Sequence, residues 1–318
     1  MRMGLTSFRL QAVQNAIRDP EVDSHLDALR PLIRSEYTFT TSGDYRSYPP
    51  PDPDKLMEPT EEDINNILVY LDQVRPRFNA VISLLKDRRG QRGLDVGICY
   101  GLIDVVLRET YGLLIEGAEL PINIPAYCAI PLNRGIPVTP WQLGTTPPFD
   151  PESFDFIVFM DVLEHLKLPP GRTIATLASL IKPGGAMVLT TPNFARYENI
   201  AKLVRGENIV QPYPEDLPDE VDATDYVGHI REYTIGEVAM HIEDAGLVIE
   251  QMLTCNQWRP HNELLPDPLL NDIIVAYATK KCGDRSIIET RKRLMTSDAK
   301  HAQTENSYGQ PDNGSCAS

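Results

Sequence analysis

The chain is short of everything that would tie it to a membrane, a nucleic acid or an oxidising compartment. Its 318 residues contain no apolar run approaching the length of a bilayer span, and the N-terminus has no apolar signal core. Positive charge is scarce: 30 Lys and Arg against 45 Asp and Glu leave a net charge of −15, which argues against a phosphate backbone or an anionic membrane as the main partner. The five cysteines (Cys99, Cys128, Cys255, Cys282, Cys316) are odd in number and scattered, with no Cys-x-x-Cys pair. Neither a disulfide framework nor a cysteine zinc site is indicated, and a reducing cytoplasm is the simplest home. No internal repeat is present. The remaining composition, 42% hydrophobic and 24% charged, suits a soluble globular protein large enough for a substantial core.

The chain divides into three stretches. Residues 1–59 open with a helical pattern (Leu10, Val13, Ala16, Ile17) and pass into a proline-rich arm around Tyr48-Pro49-Pro50-Pro51. This extension could mediate dimerisation or close a site. Residues 60–282 carry the periodic structure. Thr60 followed by Glu61, Glu62 and Asp63 starts a helix with the stripe Ile64, Ile67, Leu68 and Leu71, and a second helix is expected around Arg77–Leu85. Strand candidates follow at Gly93–Val96, Leu113–Ile115, Phe156–Met160, Ala186–Thr190, Leu247–Thr254 and Ile273–Ala278. The first four are near-continuous apolar runs, as in strands buried on both faces of a parallel sheet. Helices are expected at Arg172–Ile181, stopped by Pro183-Gly184-Gly185, and at Thr234–Ala245, opened by the capping box Thr234/Glu237. The alternation argues for a doubly wound α/β domain. Residues 283–318 are polar and lack the apolar content to order themselves.

Chemistry concentrates in four places. Asp95-Val96-Gly97-Ile98-Cys99-Tyr100-Gly101 reads as strand, tight turn and helix start, a crevice where a ligand can meet backbone N–H groups. Glu119 stands where a carboxylate can accept ribose hydroxyls, though a solvated loop acid would look the same. Asp161, Glu164 and His165 fall at i, i+3 and i+4 and would share one face of a helical turn. Gly228-His229-Ile230-Arg231-Glu232-Tyr233-Thr234 adds a second histidine.

The order and spacing of Asp95–Gly101, Glu119, Phe154-Asp155 running into Leu163-Glu164-His165-Leu166, and Leu180-x-x-Pro183-Gly184-Gly185 resemble class I S-adenosylmethionine-dependent methyltransferases. The likeness extends over residues 75–280. It implies a mostly parallel seven-stranded sheet of Rossmann-like form, with an N-terminal helical extension and a cap at 194–228. It further implies that Asp95, Gly97, Cys99, Gly101 and Asp161 hold the methionine end of the cofactor, and Glu119 the ribose. Two departures stand out. Cys99 occupies a position where such enzymes commonly have glycine, and Gln142 stands where they commonly carry an acid for the adenine amine; its amide could accept from N6 and donate to N1. Trp141 could stack nearby or belong to the core.

The segment from Thr191-Pro192-Asn193 to Thr234 looks like a subgroup frequent in bacterial glycan and natural-product pathways. The acidic, proline-rich stretch within it suits a neutral hydroxylated substrate. The expected activity is therefore O-methylation of a sugar-containing or other small metabolite. The alternatives are a quinone or phenol hydroxyl, favoured if Tyr197, Leu203 and Tyr213 build an apolar pocket, or a scaffold that has lost the cofactor. His165 and His229 are the candidate bases; a purely structural His165 would tie down the loop after the strand. Asp161, Glu164, His165 and His229 also resemble the metal constellation of small-RNA 3′-end 2′-O-methyltransferases, where a divalent ion binds the acceptor hydroxyl. The acidity of this chain speaks against RNA itself. His241 reads as a surface residue, and Trp258 and His261 as a surface loop.

Overall fold

The computed structural model describes residues 10–37, 40–41, 56–210, 228–258 and 265–282. Most of the proline-rich arm, the 211–227 part of the expected cap with Tyr213, His261 and the 283–318 tail lie outside the described residues. In chain order the elements are β1 (Gln14–Asn15), α1 (Pro20–Asp27), α2 (Leu29–Glu36), the short antiparallel pair β2 (Thr40–Thr41) and β3 (Leu56–Met57), α3 (Glu61–Leu85), β4 (Arg92–Val96), α4 (Leu102–Glu109), β5 (Leu114–Glu119), α5 (Ile124–Tyr127), α6 (Ala129–Asn133), β6 (Val138–Pro140), β7 (Phe154–Met160), α7 (Pro170–Leu180), β8 (Ile181–Pro192), α8 (Tyr197–Val204), α9 (Ile235–Asp244), β9 (Leu247–Cys255) and β10 (Ile273–Lys280).

Eight strands form one sheet in the order β1-β9-β10-β8-β7-β4-β5-β6, with β10 antiparallel to both neighbours and the other pairings parallel. The expected α/β architecture is present, with the two-residue β1 as an eighth strand on the rim. Alternation along each strand explains the apolar runs. Phe156 and Val158 of β7 face a core built with α1 to α4, while Ile157 and Phe159 face one built with α7 and α9. Both faces are covered, so each run is apolar throughout.

Three local expectations change. The Leu10–Ile17 pattern is not a helix: a 3₁₀ turn at Leu10–Ala12 leads into β1, and Ile17 is 87% exposed. Pairing decides it, because Ala16 N–H donates to the Thr254 carbonyl and Asn271 Nδ2 to Asn15 Oδ1. The two helices expected between Thr60 and Leu85 are one 25-residue helix that passes through Pro76. A mid-helix proline forfeits a backbone hydrogen bond, but the residues around it are almost continuously buried, and Arg75 locks the helix to α1 through the Asp23 carbonyl (3.0 Å) and Asp27 (2.6 Å). Finally, Pro183-Gly184-Gly185 does not separate α7 from a later strand. β8 begins at Ile181, and the register with β7 shifts there, Phe154 pairing with Ile181 and Phe156 with Ala186.

Candidate active site

The carboxyl ends of β4, β5, β7 and β8 meet on one edge of the sheet, the usual place for a ligand in an open α/β fold. β4 runs into a turn in which Gly97, Cys99 and Gly101 all have positive φ (85°, 49° and 58°). Glycine is required at two of them. A Cβ at Gly97 would lie 2.4 Å from Val162, and one at Gly101 2.8 Å from Pro131. Cys99 adopts the left-handed region with a side chain, and burial pushes its thiol well above the usual range, leaving it protonated and unreactive.

Glu119 closes the turn from β5. Its carboxylate accepts from Cys99 N–H (3.1 Å), Leu120 N–H (2.8 Å) and Asn123 Nδ2 (3.1 Å), while burial pushes its proton affinity up against those donors. Gln142 follows β6 on the exposed side, its carbonyl accepting from Thr145. Trp141 is a core residue, edge-on to Phe149 with ring centroids 5.9 Å apart. Beneath the turn, Asp95 and Asp104 are both buried, and none of their four carboxyl oxygens has a well-formed hydrogen bond among the described residues.

The second half of the site departs from expectation. Asp161, Glu164 and His165 do not share a helical face, because Asp161 has φ 49° and the short 3₁₀ turn covers only Leu163–His165. Asp161 turns away to pair with the buried Arg77 of α3 and accepts from Thr190 Oγ1 at 2.7 Å. Glu164, 1% exposed, accepts from Thr191 Oγ1 at 2.9 Å, and burial raises its proton affinity. His165 and His229 meet edge to face with centroids 5.0 Å apart. One atom from each of Glu164, His165 and His229 lies within 4.8 Å of the others, so the structure brings three of the four expected ligands together and leaves Asp161 out.

Each imidazole is oriented at Nδ1. His165 Nδ1 lies 3.2 Å from the Gly228 carbonyl and His229 Nδ1 3.2 Å from Glu232 Oε1. A carbonyl and a carboxylate can only accept, so both rings carry a proton on Nδ1. Burial opposes ionisation of Glu232, but His229, the paired Arg196 and Asn199 Nδ2 (3.0 Å) together hold it down at about 2. Arg77, Glu232 and Asp104 were missed by sequence reasoning. The signal for Arg77 was an arginine in an otherwise buried helical stretch; Glu232 sat unassigned three residues after His229.

With this geometry, residues 70–252, more than half of the 318, match a methyltransferase domain. The chain belongs to that family. Its residues 70–252 are that family's methyltransferase domain. Among curated proteins this methyltransferase is similar to ubiquinone biosynthesis O-methyltransferases. That of Saccharophagus degradans is 30% identical over 176 residues, 54% of this chain and 70% of its own. That of Vibrio atlanticus is 25% identical over 153 residues, 47% of this chain and 64% of its own, so the match spans less than two thirds of the Vibrio protein. Solved structures of similar fold include a methyltransferase from Mesorhizobium loti (17% identical, TM-score 0.45, covering 65% of this chain and 98% of that one). Another is the Haemonchus contortus phosphoethanolamine N-methyltransferase 2 in complex with S-adenosyl-L-methionine (16% identical, TM-score 0.44, covering 63% and 52%). Among the described residues of this methyltransferase no helix is long and apolar enough to cross a membrane.

Proposed function

We propose that this methyltransferase moves a methyl group from S-adenosylmethionine to a phenol- or quinol-type hydroxyl on a small acceptor with an apolar portion. The residues fit the cofactor. The Gly97–Gly101 turn presents backbone to its methionine end, with Asp95 beneath and Cys99 alongside. Glu119 keeps lone pairs for the ribose after its three donors are counted. Gln142, at the end of β6, reaches for the adenine edge.

One observation carries the choice of acceptor. α8 presents Tyr197 (53% exposed), Ile200 and Leu203 (51%) on one side, with Phe194 just before it. Its first turn adjoins the site, because Arg196 pairs with Glu232, which in turn holds His229. An apolar surface beside the imidazoles suits an aromatic ring or aliphatic tail better than a polyhydroxylated sugar. The Vibrio and Saccharophagus relatives, ubiquinone biosynthesis O-methyltransferases, support the same direction. The sugar reading rests on the subgroup resemblance from Thr191 to Thr234 and on the acidic stretch between Asn193 and Gly228, of which 211–227 lie outside the described residues.

Methyl transfer is an in-line displacement, so positioning supplies much of the rate, and the acceptor must also lose a proton. His229 is the favoured base: Glu232 fixes its tautomer and stabilises the imidazolium that forms. His165 backs the ring. In an alternative arrangement, with His229 Nε2 a ligand rather than the base, Glu164, His165 and His229 fit a divalent cation, since Glu164 Oε1 is buried with no donor among the described residues. Such an ion would lower the acceptor hydroxyl's pKa.

A product assay tests the assignment: purified protein, S-adenosylmethionine, and matched panels of alkylated catechols and of glycosides, with and without chelator. Methylation of catechols, improving with alkyl length, is expected. Methylation of glycosides alone would overturn the acceptor assignment, unchanged activity in chelator would remove the cation, and no S-adenosylhomocysteine binding at millimolar ligand would favour the scaffold.

A further inference from the structure

The buried carboxyls under the cofactor turn are used by no step above. Asp95 lies in the buried part of β4 two residues before Gly97, and Asp104 is the third residue of α4, three after Gly101. They therefore flank the turn from both sides. Their carboxyls interact with one another; none of the four oxygens has a well-formed hydrogen bond among the described residues, and the one nearby donor is Asp104's own backbone N–H. Two acceptors can face each other stably only with a proton between them, since two adjacent buried charges without counter-charge are far too costly. A helix N-terminus favours an anion, so the residual charge rests on Asp104 and the proton on Asp95.

The surroundings offer little relief. The titratable groups acting on the pair are Glu119 of β5, Cys99 of the turn and Cys128 between α5 and α6, all acids or thiols. The cation that acts on Cys99, Arg77 of α3, is paired with Asp161. Burial raises both carboxyls, Asp104 to about 7. What the turn lacks is a positive centre on its ligand side. A sulfonium supplies one; a thioether does not.

We propose that Asp95 and Asp104 form a proton-sharing pair that lets the turn distinguish the sulfonium donor from its thioether product: donor binding expels a proton from the pair, and loss of the methyl group takes one back. This rests on the assignment of the turn to S-adenosylmethionine. During transfer the acceptor oxygen bonds to the methyl carbon while the sulfur–carbon bond breaks and sulfur keeps the electron pair. The acceptor's proton passes to the imidazole, and the pair exchanges its own proton with solvent. The pair touches no reacting atom; it positions the turn and sets its charge.

The test is calorimetric titration of S-adenosylmethionine and S-adenosylhomocysteine between pH 6 and 8, on wild type and Asp104→Asn. In wild type the donor-to-product affinity ratio should climb with pH, by up to about tenfold per pH unit for one linked proton. In Asp104→Asn, where the amide donates to Asp95, it should be flat once the donor's own ammonium is common to both proteins. A ratio independent of pH in wild type, or an equal slope in the variant, overturns the proposal while leaving the cofactor assignment intact; failure of both ligands to bind overturns that assignment and the proposal with it. Should Asp104→Asn not fold, wild type alone decides. Donor binding in buffers of different ionisation enthalpy must release more protons than product binding, and equal release overturns the proposal.

Discussion

The two halves of the site bury carboxylates in opposite ways. Under the cofactor turn, Asp95, Asp104 and Glu119 have no partnering cation, and burial raises all three. On the acceptor side, Asp161 pairs with Arg77 and Glu232 with Arg196, and Glu232 is held at about 2. The difference separates two designs. Apart from Glu164, whose Oε1 has no donor among the described residues, the acceptor side has its carboxylates paired without ligand and serves as a rigid frame for the imidazoles. The cofactor side is left short of positive charge and donors, which the ligand supplies on binding. Preorganised polarity favours catalysis in the first; unmet polarity favours recognition in the second.

The largest effect should come from the cofactor side. Glu119→Ala removes a charged acceptor from the turn as well as the ribose contact, and hydrogen bonds to charged groups are worth about 1.5–3 kcal/mol each. S-adenosylhomocysteine affinity should fall about a hundredfold by calorimetry, and a loss under threefold would contradict the assignment. Next is His229→Ala, for which kcat should drop on the order of 100-fold while S-adenosylhomocysteine affinity is unchanged. Equal losses in both would show that the two halves are not separable. If His165→Ala is the more damaging variant, the base roles are exchanged.

A third effect concerns stability. The folded-state pKa of Glu232 lies below its ordinary value of 4.5, so its contribution is present above that value and lost as pH falls toward about 2. Arg196→Met leaves this buried carboxylate with fewer partners and should cost about 3 kcal/mol at neutral pH. The melting-temperature gap to wild type should close between pH 4.5 and 2, and a gap that stayed constant would show that Arg196 acts through packing on Trp258. The smallest effect is Cys99→Gly. Relief of a left-handed side chain is worth about 1 kcal/mol, partly offset by chain entropy, so melting should change little and cofactor affinity should hold or rise slightly. A large loss of affinity would mean that the Cys99 side chain itself contacts the ligand.

The fold was legible because the apolar runs of the central strands report burial on both faces, the capping box at Thr234 forms as read, and Thr60 caps its helix as expected. The turn itself was legible, since its backbone geometry demands glycine at Gly97 and Gly101, but Asp104 beneath it was not. The acceptor side was read less well. Spacing suggested a common face for Asp161 and Glu164, but a positive φ at Asp161 redirects the side chain toward an arginine 84 positions earlier, a partner no local pattern announces. The proline at 76 misled for a related reason: tertiary burial around α3 outweighs the local penalty. Partners supplied from distant elements, such as Arg196 for Glu232 across 36 positions, become visible only in three dimensions.

The two-residue strand β1 has a consequence for how the protein can be handled. By lying parallel to β9 and reaching Asn271 through Asn15, it covers a row of backbone groups that would otherwise line the rim of the sheet. An uncovered rim is a template for another chain's strand. A version cut back to Thr60 would keep the whole cofactor turn and both histidines, yet would expose this row along β9. Such a trimmed protein should self-associate through its edge, and restoring residues 10–18 as a separate peptide should suppress that association.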